Sequence, residues 1–363
     1  MMDDLDRKIL TEIQKEFPRV SEPFEVLGQR VGISGSEALK RIKKLKEEQI
    51  LRQISAIFDT KSLGYKSTLV AMKFSADQLD RGAEIINQHP GVSHNYRRND
   101  AYNLWFTVAV PPADSIEKTV ARLHELSGAQ NTLILPTLKL FKIGVKLDLT
   151  GKDSDKLDSK EDIYDESRRR KAPPELTEEH IEAIRALQED IPLVERPYQA
   201  ISESSGFSEE RLFELMTFFE SKGYFRRFAG ILHHRKAGFN ANAMVVWNIT
   251  DEKQDEVGEI MARFPQVSHC YKRPVFSDWP YALYTMIHAP KAEDCDKIVQ
   301  KIVQATGDWP RKNLYSTKEY KKIRLKYFTK ELDEWWERIG QTPSSRAPEG
   351  GVAISEIASL RSQ

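Results

Sequence analysis

The nine residues Pro90-Gly-Val-Ser-His94-Asn-Tyr96-Arg97-Arg98 return as Pro265-Gln-Val-Ser-His269-Cys-Tyr271-Lys272-Arg273, identical at six of nine positions with an offset of 175. Flanking matches follow nearly the same register. Phe17-Pro18, Gly32 and Arg52 correspond to Ile191-Pro192, Gly206 and Arg226 at an offset of 174, while Tyr102, Leu104 and Gly128 correspond to Tyr281, Leu283 and Gly307 at 179. Small insertions in two divergent copies produce such a drift. A period this long lies far outside the range of solenoid repeats, so each copy is expected to be a folding unit. Two such units in one chain of 363 residues are expected to form an intramolecular pseudo-dimer.

Within copy one, Leu5, Ile9, Leu10 and Ile13 recur at helical spacing, and Phe24, Leu27 and Val31 mark a second short helix. Gly32-Ile-Ser-Gly supplies a turn, and Ser34 or Ser36 can cap a third helix that turns Leu39, Ile42 and Leu45 inward. Residues 50–58 alternate like a strand, which completes a winged helix-turn-helix. Strands over 67–74, 92–98, 102–110 and 132–141, with helices over 77–88 and 114–126, then follow the βαββαβ order of a ferredoxin-like half. Copy two repeats this, with helices near 178–188, 198–204 and 208–222 and strands near 243–249, 267–273 and 281–288.

The expected class is therefore α+β, a tandem repeat of winged helix-turn-helix plus ferredoxin-like βαββαβ domain. Residues 1–60 and 61–150 make copy one, and 176–235 and 236–330 make copy two. Fifteen of the 25 residues in 151–175 are charged, which reads as a solvated linker. Residues 331–363 read as a C-terminal helix and flexible tail, with Trp335 and Trp336 expected to dock on the body.

Charge excludes several classes of partner. Lys and Arg number 55, as do Asp and Glu, so no net field draws the chain to nucleic acid or anionic membrane, and any basic site must be local. No run approaches the ~20 apolar residues of a membrane span, and the first residues are acidic where an export signal would be basic. Cys270 and Cys295 alone make neither a disulfide framework nor a thiolate cluster, so the cytoplasm is the expected location. There is no P-loop, dinucleotide glycine fingerprint or HExxH motif. His89, His124 and His180 read as surface histidines. His233-His234, found in copy two only, is not expected to bind metal, because neighbouring side chains on a strand point apart.

The repeated motif is where chemistry concentrates. On a strand, Val92, His94, Tyr96 and Arg98 would share one face, and Val267, His269, Tyr271 and Arg273 would share its counterpart, spaced by roughly 6.5 to 7 Å. The next strand of each copy brings aromatic and polar side chains alongside: Asn103 and Trp105 in one, Trp279, Tyr281 and Tyr284 in the other. Aromatic walls with His, Arg and Lys suit a large planar polyanion, since guanidinium groups fork onto carboxylates while rings pack on a macrocycle.

The outline of helix-turn-helix followed by βαββαβ resembles the leucine-responsive and asparagine-responsive transcription regulators. The third helix of copy one, with Lys40, Arg41, Lys43 and Lys44, could read DNA, but its counterpart Ser208 to Glu220 is acidic and aromatic and looks built for packing. VSHNYRR with YNLWFT, and VSHCYKRP with WPYALYTMIH, resemble more narrowly the two paired subunits of siroheme decarboxylase joined in one chain, over roughly residues 1–330. That resemblance implies non-oxidative removal of two acetate carboxyl groups from siroheme, giving didecarboxysiroheme for alternative or dissimilatory haem synthesis. It also implies siroheme and its product as partners.

Decarboxylation leaves electron density on an exocyclic carbon, which the macrocycle delocalises until an acid protonates it, so no cofactor is expected beyond the iron of the substrate. His94 and His269 are the expected proton donors, with Tyr96 and Tyr271 as weaker donors or orienters. Arg97, Arg98, Lys272 and Arg273 are expected to hold the carboxylates that remain, beside Asn103, Trp105, Trp279, Tyr281 and Tyr284. Protein side chains alone form no metal site, although His94 or His269 as a ligand to the siroheme iron stays open. So do a further homodimer, a ligand-responsive transcription regulator and a haem carrier without turnover. Copy one has Asn95 where copy two has Cys270, which argues against an obligatory thiol nucleophile.

Overall fold

The computed structural model describes residues 2–143, 174–232, 241–289 and 291–340. All but the last two residues of the expected linker, the tail beyond 340 and His233-His234 lie outside them. Copy one runs α1 (Asp4–Lys15), α2 (Pro23–Val31), α3 (Gly35–Glu47), β1 (Leu51–Phe58), β2 (Lys66–Lys73), α4 (Leu79–Asn87), β3 (Val92–Arg98), β4 (Leu104–Val110), α5 (Ile116–Ser127), β5 (Asn131–Leu135) and β6 (Lys139–Ile143). Copy two runs α6 (Glu178–Leu187), α7 (Pro197–Ser205), α8 (Glu209–Ser221), β7 (Phe225–Leu232), β8 (Ala241–Trp247), α9 (Gln254–Ala262), β9 (Val267–Lys272), β10 (Leu283–Ala289), α10 (Ala292–Thr306), β11 (Arg311–Lys322) and α11 (Lys330–Arg338).

The chain packs as two compact units, residues 1–63 with 136–316 and residues 64–135 with 317–363. The first unit holds both helix-turn-helix segments, built from the same local signals. Ser34 and Ser208 cap α3 and α8 by accepting the amides of Glu37 and Arg211, and Pro23 and Pro197 start α2 and α7. Gly32 at φ 83° and Gly206 at φ 78° end those second helices in the left-handed region, where a side chain would be strained. The wing is shared: β1 pairs antiparallel with β7, with Ile54 opposite Gly230 and Phe58 opposite Phe225. Phe58 also meets Phe219 edge-on at 5.7 Å, so aromatic packing closes the two copies around one core.

The same unit carries the second βαββαβ sheet. There β8 lies between β10 and the first residues of β11, β10 pairs with β9, and β9 pairs with β6. The strand expected over 132–141 is thus two strands. Pro136, which has no amide to donate, ends β5, which stays beside β2 in the second unit, while β6 adds to β9 with Leu140 opposite Tyr271.

In the second unit the strands run in the order β5-β2-β4-β3, covered by α4 and α5. Val70, Met72, Leu104, Phe106, Val108 and Val110 turn one face into its core, and α11 docks there as expected, burying Leu332, Trp335 and Trp336. His89 is not a surface residue. It is fully buried, its Nδ1 accepts the Gly91 amide at 3.0 Å, and Trp335 packs edge-on at 4.5 Å. His124 and His180 are half-buried, the first bound to Thr132 and the second stacked on Phe218.

Burial pulls the His89 imidazole down to about 3, with Lys321 adding a smaller push in the same direction. Between that value and the ordinary pH of about 6.5, the unfolded chain holds a proton that the folded chain refuses. Stability therefore falls as pH drops below 6.5, by about 2 kcal/mol at pH 5 from this residue alone. Urea unfolding at pH 7 and pH 5 should show that loss, and His89→Phe should remove most of it whatever its effect at pH 7. An unchanged pH slope in the variant would assign the loss elsewhere.

Candidate active site

In both copies the central strand is bulged. The ladder passes from Val92 opposite Val108 to His94 opposite Thr107, and from Val267 opposite Ile287 to His269 opposite Met286, leaving Ser93 and Ser268 as the extra residues. This corrects the expected face for the valines. Val92 and Asn95 point to the helices, with Asn95 Nδ2 donating to Asn87 Oδ1 at 3.0 Å, and Val267 and Cys270 do the same against α9. Burial pushes the Cys270 thiol up to about 12, which leaves it inert as a nucleophile.

His, Tyr and Arg stay together beyond each bulge. Ring centroids of His94 and Tyr96 lie 6.3 Å apart, and those of His269 and Tyr271 6.0 Å apart. The guanidinium of Arg98 sits 5.8 Å from the Tyr96 ring, and that of Arg273 4.8 Å from Tyr271 and 5.5 Å from Tyr284. Arg98 and Arg273 are only 6% and 8% exposed, and burial lowers both, Arg98 to about 10. Each remains a cation at neutral pH in a desolvated setting, where a carboxylate partner would be worth more than at the surface. Burial also raises the Tyr271 phenol, so it stays protonated and can donate.

Other candidates fall outside this cluster. Arg97 is exposed, and Lys272 leans toward Asp255 at 3.5 Å. Asn103 lies beside Arg98, yet its amide is tied to both backbone groups of Phe74, at 3.0 and 2.8 Å. Trp105 and Tyr284 stand opposite Tyr96 and Tyr271 in register, but they are 1% and 2% exposed and so are not open walls. The Trp105 indole donates to the Tyr102 carbonyl and the Trp279 indole to the Tyr284 hydroxyl, because a buried N–H needs a partner. Tyr281 is half-buried with its ring 4.9 Å from Trp279.

A groove of about 560 Å³ in the second unit is lined by Arg97, Arg98, Asn99, Asp100, Asn103, Thr317 and Lys318, within the usual size of ligand clefts. Another, of about 580 Å³ at Asp308 to Asn313 in the first unit, touches none of the repeated motif. The motif's serines escaped the sequence reading. Ser93 Oγ lies 3.0 Å from His94 Nδ1, and Ser268 Oγ 2.8 Å from His269 Nδ1. Their one visible signal was the Val-Ser-His triplet common to both copies. Among the described residues no group of three or more His, Cys, Asp or Glu could hold a metal, and no helix is long and apolar enough to cross a membrane.

Over 334 residues the chain is 40% identical to the siroheme decarboxylase of Hydrogenobacter thermophilus (strain DSM 6534 / IAM 12695 / TK-6), spanning 92% of this chain and 97% of that protein. This chain belongs to the siroheme decarboxylase family. Its segments 6–52 and 181–226 match the siroheme decarboxylase NirDL-like HTH domain, and 62–142 and 236–321 match the AsnC-like ligand binding domain. The crystal structure of the siroheme decarboxylase NirDL in co-complex with an iron-uroporphyrin III analogue is similar over 93% of this chain and 98% of that one, at 34% identity and a TM-score of 0.73. In this family the halves also occur apart. The siroheme decarboxylase beta subunit of Methanosarcina barkeri (strain Fusaro / DSM 804) is 40% identical over 146 residues, 40% of this chain and 96% of the subunit.

Proposed function

We infer that the chain acts on siroheme as a carboxy-lyase, releasing the carboxyl groups of two acetate side chains as carbon dioxide without an oxidant. The observation that carries this reading is the His-Tyr-Arg face, built twice with nearly the same geometry. Kinship with siroheme decarboxylases supports the substrate. Arg98 and Arg273 bind carboxylates that remain, while the reacting carboxylate sits away from them, since pairing it with a cation would stabilise the ground state and oppose the loss of carbon dioxide. As the carbon–carbon bond breaks, the electron pair passes into the macrocycle, and His94 or His269 delivers the proton that completes each methyl group. The substrate's own conjugation supplies the electron sink, so the reaction needs no separate cofactor.

A regulator reading has less to stand on. Arg41, the central cation of α3, is held by Asp3, Asp6 and Glu37, and Arg211 of α8 is held by Glu179 and Glu214, so both are diverted from phosphate contacts. Anaerobic incubation with siroheme, followed by mass spectrometry, should show loss of two carbon dioxide units per tetrapyrrole. Binding with unchanged mass would indicate a carrier. A salt-sensitive, sequence-specific shift of a DNA fragment without any loss of carbon dioxide would indicate a regulator.

A further inference from the structure

Neighbouring side chains on a regular strand point apart, so Ser93 could not ordinarily reach His94, nor Ser268 reach His269. The bulge at each serine brings the pair into hydrogen-bond contact. The serines differ in their second partner. Ser268 Oγ also lies 3.3 Å from the Met286 carbonyl oxygen, which can only accept. A serine hydroxyl has one hydrogen. Both contacts are satisfied together only if Ser268 donates to the carbonyl and accepts from an Nδ1–H on His269. Ser93 Oγ instead lies 2.9 Å from the Thr107 hydroxyl, which both donates and accepts, so two arrangements satisfy that chain and Ser93 does not by itself choose the tautomer of His94.

We propose that Ser268 is a positioning residue that pins His269 with its proton on Nδ1, a constraint that the Ser93–Thr107 hydroxyl pair does not place on His94. This rests on the decarboxylase reading for its catalytic meaning. When the imidazolium of His269 gives its Nε2 proton to the exocyclic carbon, the neutral ring left behind is the Nδ1–H form that Ser268 holds. The carboxylate has by then left as carbon dioxide, its bonding pair has become the new carbon–hydrogen bond, and charge is conserved.

Long-range proton–nitrogen correlation spectra of the full chain, labelled with nitrogen-15 in histidine and recorded where the imidazoles are neutral, read the tautomers without any substrate. His269 should be in the Nδ1–H form. Ser268→Ala should move His269 toward Nε2–H, and Ser268→Thr should restore the original form. An Nε2–H His269 in the unaltered chain, or a His269 indifferent to Ser268→Ala, overturns the proposal. With siroheme, Ser268→Ala should lower kcat about tenfold or more, in the range of lost second-layer hydrogen bonds, with KM changed less than about twofold and activity returned by Ser268→Thr. A loss that Ser268→Thr fails to rescue counts against positioning. Absence of turnover in the unaltered chain counts against the decarboxylase reading alone, since the spectra decide the tautomers regardless.

Discussion

Replacing His94 or His269 by alanine should lower siroheme turnover by about 10² to 10⁴-fold, the usual contribution of a positioned acid, with the larger loss at His269. The two histidines occupy equivalent strand positions beside equivalent tyrosines, so equal losses would be the simplest expectation for a symmetric pair. Their surroundings are not symmetric. Thr107 in copy one becomes Met286 in copy two, Asn95 becomes Cys270, and Trp105 becomes Tyr284. Among the described residues the Arg273 guanidinium beside His269 lies near the rings of Tyr271 and Tyr284, and the Arg98 guanidinium beside His94 lies near that of Tyr96. Single-turnover assays with quantified carbon dioxide, alongside circular dichroism to show an intact fold, should separate the two variants and reveal whether one stops after a single decarboxylation. Equal losses would point to two equivalent sites or to a proton shared between the histidines.

The repeat made the architecture legible because each copy carries its own punctuation: Pro23 and Pro197 at helix starts, Gly32 and Gly206 at helix ends, Ser34 and Ser208 as caps. These are local signals that a single chain displays without help from tertiary context. What stayed hidden is non-local. A strand pattern over 132–141 cannot say that its two ends pair with different strands, β2 and β9, although Pro136 marks the break. Period-two alternation placed Val92 and Val267 with the histidines because a bulge adds one residue and shifts everything before it to the other face, and only the partner strand's register reveals that. His89 looked like a surface residue because the tryptophans that bury it arrive from α11, more than 240 residues away. The aromatic residues were found, but composition could not tell an open wall from a ring whose N–H is already satisfied inside the protein, as in Trp105 and Trp279.

Arg98→Met and Arg273→Met should each weaken siroheme binding by about one to two decades. A desolvated, charge-assisted hydrogen bond is worth roughly 1.5 to 3 kcal/mol, and ~1.4 kcal/mol is a decade in affinity. Methionine keeps the length and apolar stem of the side chain while removing the fork that grips a carboxylate. Arg273→Met also removes a cation lying near two aromatic rings, so its melting temperature must be followed beside its affinity. Arg97→Met and Lys272→Met serve as internal comparisons and should change affinity much less, because Arg97 is exposed and Lys272 is drawn to Asp255. The decisive feature is ligand dependence. A tetrapyrrole with fewer carboxylates has fewer partners for these cations, so its affinity should fall much less in the same variants. If both variants weaken all tetrapyrroles alike, or leave siroheme binding unchanged in a folded protein, the two arginines hold the tyrosine face together and the carboxylates are gripped elsewhere.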